Sequence, residues 1–432
     1  MAIDTPARIA IIGAGPIGLE AALYARFLGY DVDIYDRGQV CQSLHQRRHI
    51  RFFSPFGQVA SPLAIAAIQT QDPAWKPHAA DDILTGQQWL DDYYLPLSQT
   101  DLLADCSQFN TEVLSVGRQE LLQYDLPGED LRADSDFRLL LRPSPETGEA
   151  AHPGLSGEHF ATADAVLDCS GTYASHNWLG RGGIPAAGEL ALRNQIEYQI
   201  PDIQGAARDH YAHCHTLVIG AGEAAATCVE ALVLLARELP YTMVTWITRS
   251  MEAPRDTQPL RTPSADASPE QRRLAHSANA LANAGATDHL HHWSGTWVEK
   301  LQWQSAPHRY IVDTGGKHAG QFEFDRVIAC VGHRPDRSFT GELQFMEHGG
   351  TRASQSAILQ NVDGSTLILP SQEIEQCRNP EPDFYVLGAK TVGRMPGYTM
   401  AVGLDQIKKV FMIIGDRPTL DLYQNGSLKL DE

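Results

Sequence analysis

The chain has 432 residues, of which 43% are hydrophobic and 20% charged, the balance of a globular protein with more than one core. Its formal charge of −19, from 53 acidic against 34 basic side chains, makes a mean field that repels nucleic-acid backbones and anionic membrane surfaces. A dinucleotide is also an anion, so capturing one would take local backbone dipoles and a few placed arginines.

Residues 8 to 36 read as strand, glycine turn, helix and strand: RIAIIGAGPIG, LEAALYARFLGY, DVDIYD. In GAGPIG, Gly13 permits the tight turn, Gly15 lets the backbone approach a pyrophosphate, and Gly18 lets the helix pack closely on the strand. Asp36 follows Gly18 by 18 residues, close to the roughly 20 expected for the carboxylate that bonds a ribose hydroxyl. The N-terminal stretch lacks the basic start and cleavage site of a secretory signal.

The next segment, HQRRHIRFFSP (His45 to Pro55), sets basic residues before an aromatic pair. It reads either as a solvated basic face with Phe52 and Phe53 in the core, or as a site in which His49 or Arg51 anchors an anionic substrate. Residues 50 to 100 carry helical patches near Leu63–Ile68 and Gln87–Tyr94 and are expected to cover the first site. From 109 to 170 the segments TEVLSVG, DFRLLLRP and ADAVLDCSG read as short strands of an antiparallel insertion.

The βαβ pattern recurs at 215 to 249 as HTLVIGAGEAA, ATCVEALVLLARELP and YTMVTWITR. Gly220 and Gly222 repeat the turn, Ala225 stands for the third glycine, and Glu223 and Ala224 open the helix. No acidic residue ends the following strand. Thr248 and Arg249 stand there instead, and a guanidinium in that position pairs with the 2′-phosphate of NADP. Thr216 to Ala236 is the nearest approach to a membrane span, but it contains Glu223 and Glu230. The polar, Pro-rich stretch 252 to 276 is expected to be a long loop.

His289, His291 and His292 lie on an expected strand edge without a matching Cys or carboxylate cluster, so no metal site is expected. Strand signals return in TWVEKLQWQ, HRYIVDT and FDRVIACVG, and DFYVLGA precedes a helix at about 398 to 413. The last strand and helix are expected to rejoin the first domain. The seven cysteines are scattered and nowhere spaced Cys-x-x-Cys, so reduced thiols and a cytoplasmic protein are expected.

Together the two glycine motifs, with VLDCSG ending at Gly171 and DRVIACVGHRP carrying Gly332, resemble the two-dinucleotide-binding-domain flavoproteins. These include flavin-containing monooxygenases, thioredoxin reductases and related oxidoreductases, and the resemblance runs over nearly the whole chain. It implies an α/β fold of two Rossmann-like domains, the NAD(P)H domain inserted into the FAD domain. The expected boundaries are 1–205 and 331–432 for the FAD domain and 206–330 for the insert. It further implies that Ala14, Pro16, Ile17, Arg37, Val113, Gly388 and Tyr398 join Gly13, Gly15, Gly18, Asp36 and Gly171 around FAD.

Three departures from the family stand out. The Gly-Asp that usually holds the ribityl chain is replaced by Gly388-Ala389-Lys390, so contact there falls to backbone amides or Lys390. The following helix start, Pro396 to Thr399, is expected to face the flavin. Cys41 lacks a second cysteine five residues on, where Gln46 stands. It reads mainly as a small buried hydrophobe, the alternative being a single reactive thiol beside His45, Arg47 or Arg48. Finally, CSGTYASH (Cys169 to His176) only approaches the monooxygenase signature.

The expectation is an FAD enzyme that takes hydride from NADPH and acts on a small molecule in a monooxygenase-like way, with O2 as co-substrate and His49 and Ser54 as candidate catalytic residues. Reduction of a non-disulfide acceptor is the enzymatic alternative. A non-catalytic flavin-binding sensor or assembly protein is the alternative of another class. Nucleic-acid and membrane partners are not expected, and a homodimer is left open.

Overall fold

The computed structural model describes residues 3, 5–144, 157–249, 257–261, 263, 267–284, 287–347, 349–350, 352–354, 358–362, 365–369, 374–395 and 398–425. The chain divides into two compact units, Met1–Ser175 with Arg334–Glu432, and His176–His333. The second is thus inserted in the first, and residues 176–205 fall within it.

In the first unit, strand β1 (Arg8–Ile12), helix α1 (Pro16–Phe27) and strand β2 (Asp31–Tyr35) form the first βαβ unit. Proline at the first helical turn costs no hydrogen bond there and presets the backbone. Helix α2 (Pro62–Gln71) starts at Ser61, whose hydroxyl accepts the Ala64 amide. Residues 86–98 continue helically around a π turn at Leu90–Tyr94, behind a Thr85/Gln88 capping box.

Strand β3 (Ser107–Gln108) is followed by β4 (Thr111–Arg118), β5 (Phe137–Pro143) and β6 (His159–Ala163), an antiparallel sheet, and by β7 (Ala165–Asp168). Here the structure corrects the sequence reading. ADAVLDCSG does not belong to the antiparallel insertion, whose third strand is β6; Ala165–Asp168 runs parallel to β1, Ile12 facing Asp168. All four residues of β7 are buried, as a strand covered on both faces requires.

The second unit opens its own parallel sheet with β8 (His215–Ile219), α3 (Glu223–Glu238) and β9 (Met243–Thr248). Helix α4 (Pro269–Asn283) precedes β10 (Leu290–Ser294). The expected loop at 252–276 therefore ends early: Ser268 caps α4 through the Gln271 amide, and Leu274, Ala275 and Ala278 bury one face. Residues 252–256, 262 and 264–266 of that stretch lie outside the described residues. Strands β11 (Thr296–Ser305), β12 (His308–Gly316) and β13 (Gly320–Phe324) form an antiparallel sheet, and β14 (Arg326–Ala329) completes the parallel order β10-β9-β8-β14.

Back in the first unit, β15 (Ile358–Val362) and β16 (Ser365–Leu369) pair as a hairpin. Strand β17 (Phe384–Val386) joins β7, giving the parallel order β17-β7-β1-β2-β3, and α5 (Met400–Ile414) packs on α1, where Tyr24 and Phe411 stack at 5.1 Å. The last strand and helix rejoin the first unit as the sequence suggested. Among the described residues no helix is long and apolar enough to cross a membrane.

Candidate functional site

In the first unit the site grows from three strand ends. β1, β7 and β17 run parallel, so the segments after Ile12, Asp168 and Val386 emerge on one edge, the edge where open α/β sheets bind ligands. Gly13 has φ +104°, and a Cβ on it would stand 2.8 Å from the Cys169 carbonyl oxygen; one on Gly18 would stand 1.8 Å from the Gly13 carbonyl oxygen. No side chain fits at either place. Gly15, the extended N-cap of α1, has nothing within 4 Å of its Cβ position, so the helix start, with Ala14, Pro16 and Ile17 around it, faces open space.

Asp36 fixes this turn from β2. Its carboxylate accepts the Ala14 amide at 2.7 Å and the Gly38 amide at 2.8 Å, while burial pushes its pKa up against those two bonds. Each oxygen keeps a lone pair for a further donor. Neighbouring Arg37 is exposed. Gly171 (φ +67°) and Gly388 (φ +76°) end the two flanking segments; the Gly388 Cβ position lies 3.3 Å from Ile17.

Tyr398, just before the Thr399 cap of α5, is nearly buried and its hydroxyl has no hydrogen-bond partner. Burial raises that hydroxyl's pKa, Cys169 adding to the effect. Pro396 lies outside the described residues. Val113 is buried in the cluster containing Ile12, Tyr35 and Phe137, beside the ends of β1 and β2.

Lys390 is wholly buried, and its ammonium donates to Asp168 at 2.6 Å and to the Ser170 hydroxyl at 2.9 Å. Burial draws its pKa below the usual lysine range, with Asp168 opposing the shift. Arg337 lies 3.4 Å from the same carboxylate. The cation at the departed Gly-Asp position is therefore neutralised internally, a pairing that 222 residues of separation hid from the sequence.

The segment His45–Pro55 divides between its two readings. Arg48 and Arg51 are exposed, and Phe52 packs on the core. Arg47, however, lies between the rings of Phe52 (5.3 Å) and Tyr173 (4.1 Å), tying this segment to the residues after Gly171. Half-buried His49 has an Nε2 without a partner, and Ser54 is also half-buried. Cys41 is completely buried with its thiol pKa raised well above normal by desolvation, the state of an inert core thiol.

In the second unit the turn repeats. Gly220 has φ +139°, and its Cβ position is 2.2 Å from the Cys330 carbonyl oxygen; Gly222 is the extended N-cap of α3 with nothing within 4 Å. Glu223 and Ala224 open the helix, Ala225 is buried beneath it, and Gly332 (φ +78°) follows β14. Thr248 bonds His292 at 3.0 Å. Arg249, directly after β9, is exposed and has no bonding partner among the described residues. Two features escaped the sequence altogether: Glu20, buried within α1 against Ser61 and Tyr93, and the approach of Cys228 to Cys330. Both come from distant segments, and no local pattern marks either.

No family model and no curated protein matches the sequence. Solved structures do match. The bacillithiol disulfide reductase Bdr (YpdA) from Staphylococcus aureus is 16% identical, covering 94% of this chain and 98% of its own at a TM-score of 0.62. DfoA from Erwinia amylovora, a cadaverine monooxygenase bound to FAD, is 12% identical over 96% and 95% with a TM-score of 0.62. A flavin-containing monooxygenase from Stenotrophomonas maltophilia is 15% identical over 96% and 99% with a TM-score of 0.54. The chain shares their fold. That fold is the α/β architecture of two Rossmann-like units, one inserted in the other, expected from the paired glycine motifs.

Proposed function

We propose that this protein is an FAD-dependent oxidoreductase that takes hydride from NADPH and acts on a small molecule. The observation that carries the reading is the pair of helix starts left open at Gly15 and Gly222, each following a parallel strand and each backed by a turn that excludes side chains. A helix N-terminus with free amides and a positive dipole end is a pyrophosphate site.

In the first unit, Ala14 to Ile17 would hold the FAD pyrophosphate, and Asp36 would accept from the adenosine ribose. Gly171, Gly388 and the unpartnered Tyr398 hydroxyl would line the flavin end. Half-buried His49 and Ser54 remain the candidates for substrate contact, and Arg47, held between Phe52 and Tyr173, would keep their segment in place. In the second unit, Gly222 to Ala224 would hold the NADPH pyrophosphate and Arg249 its 2′-phosphate. The bound dinucleotides would supply hydride transfer and then two electrons for O2 or another acceptor.

Within this class we favour a monooxygenase-like reaction on a small molecule, with O2 as co-substrate. Two observations support it: Cys41 is sealed in the core with its thiol held protonated, and structural neighbours are named as monooxygenases.

Mixing the FAD-loaded protein with NADPH in the absence of oxygen is expected to bleach the flavin's visible band. An unbleached band overturns every enzymatic version and leaves the flavin-binding sensor. Admitting O2 with a panel of amines, thioethers and small acids is then expected to give a product heavier by one oxygen atom. Reoxidation without such a product assigns the reductase instead.

A further inference from the structure

The cysteine spacing holds no pair, yet the fold makes one. The sulfurs of Cys228 and Cys330, 102 residues apart in sequence, lie 3.8 Å from each other within the second unit. Cys228 is on α3 and wholly buried, whereas Cys330 directly follows β14 and is partly exposed.

Both backbones are fixed. The Cys330 amide donates to the Ile219 carbonyl at 2.8 Å, and β14 is registered on β8 through Ala329 and Ile219. Gly220 packs so closely on Cys330 that a Cβ there would meet its carbonyl at 2.2 Å. On the other side, Ala225, Ala226, Val229 and Leu232 bury the face of α3 that carries Cys228. A disulfide requires a sulfur separation of about 2.05 Å. Closing the remaining gap calls on rotation about the two Cα–Cβ bonds.

We propose that Cys228 and Cys330 are a redox-active dithiol that a small-molecule disulfide converts to an intramolecular disulfide. The roles follow from exposure. The Cys330 thiolate attacks one sulfur of the small disulfide, forming a mixed disulfide and expelling one small thiolate. Cys228 then loses its proton and displaces the second small thiolate, closing the protein disulfide. The two protein thiols give up two electrons and two protons, and the small disulfide becomes two thiols. The contact with Cys330, together with burial, holds the Cys228 thiol protonated, so the first attack falls to the partly exposed Cys330, and Cys228 gives up its proton only once the mixed disulfide stands beside it. The chemistry needs no bound dinucleotide and stands apart from the proposed oxidoreductase activity.

The test treats the full-length protein with oxidised glutathione, blocks free thiols and maps peptides without reductant. The expected result is a peptide joining Cys228 to Cys330, lighter by two hydrogens and separated by dithiothreitol. In Cys228→Ser, Cys330 should accumulate as its glutathione adduct; in Cys330→Ser, Cys228 should stay unmodified, with circular dichroism confirming that this variant is folded. A stable glutathione adduct at Cys330 in the unsubstituted protein, or absence of the link while exposed thiols react, overturns the proposal.

Discussion

Lys390 and Asp168 offer a quantitative test of how the first unit's strand ends are held together. Both side chains are completely buried and meet at 2.6 Å; Ser170 bridges them, accepting from Lys390 at 2.9 Å and donating to Asp168 at 2.7 Å. Lys390→Met strands the carboxylate. Breaking a buried pair costs about 3–5 kcal/mol, and Arg337, already 3.4 Å from Asp168, places this variant at the low end. Asp168→Leu strands the ammonium beside the Ser170 hydroxyl, the Phe339 ring 4.5 Å away and the weaker field of Asp336, takes a carboxylate from Arg337 as well, and should cost at the upper end of the same range. The double variant leaves neither charge unpaired across the pair and should lose less than the two singles together, with a coupling of at least about 2 kcal/mol. Urea unfolding followed by circular dichroism on all four proteins gives the cycle. Strictly additive losses would show that the two charges do not depend on each other, and the reasoning would fail.

Glu20 predicts a pH dependence. Burial raises its pKa to about 7 against the bonds from Ser61 and Tyr93. A carboxyl whose folded pKa exceeds its unfolded value of 4.5 favours the fold when protonated. That stability is complete below the unfolded value and is lost as pH rises through about 7, amounting to about 3 kcal/mol. Glu20→Gln should flatten the slope of urea midpoints between about pH 5 and 8, and an unchanged slope would remove Glu20 as its source. Arg249→Ala should weaken NADP+ binding roughly tenfold or more, from lost phosphate pairing of about 1.5–3 kcal/mol, while barely touching NAD+ in parallel titrations; equal losses for both refute the assignment. Glu381 is buried between Arg118 (2.8 Å) and Arg132 (3.0 Å), so Glu381→Gln should cost about 3–5 kcal/mol in thermal unfolding. A melting temperature that does not move would show that the two guanidinium groups do not need the charge.

What the sequence disclosed and what it withheld divide by range. A glycine turn writes its requirements into consecutive residues, because the clash at Gly18 is with Gly13 and the amide that Asp36 accepts belongs to the same βαβ unit. Strand β7 was visible as a strand, but its partner was not. VLD reads equally well in either kind of sheet, and burial of all four positions, a tertiary fact, decides for the parallel one. The charges behave in the same way. Gly388-Ala389-Lys390 shows by itself that a cation stands where the resembled flavoproteins carry aspartate, yet whether that cation faces a ligand or a protein carboxylate depends on Asp168, supplied by a different strand. Lys390 is consumed by that pair, so the electrostatics toward any ligand at this edge fall to the helix starts and to polar groups still without partners, the Tyr398 hydroxyl and His49 Nε2. At the second unit's strand end Arg249 is exposed and, among the described residues, unpaired. One turn design therefore stands in two electrostatic settings: the first edge balances its cation internally, and the second presents one to solvent, where the proposed NADPH would meet it.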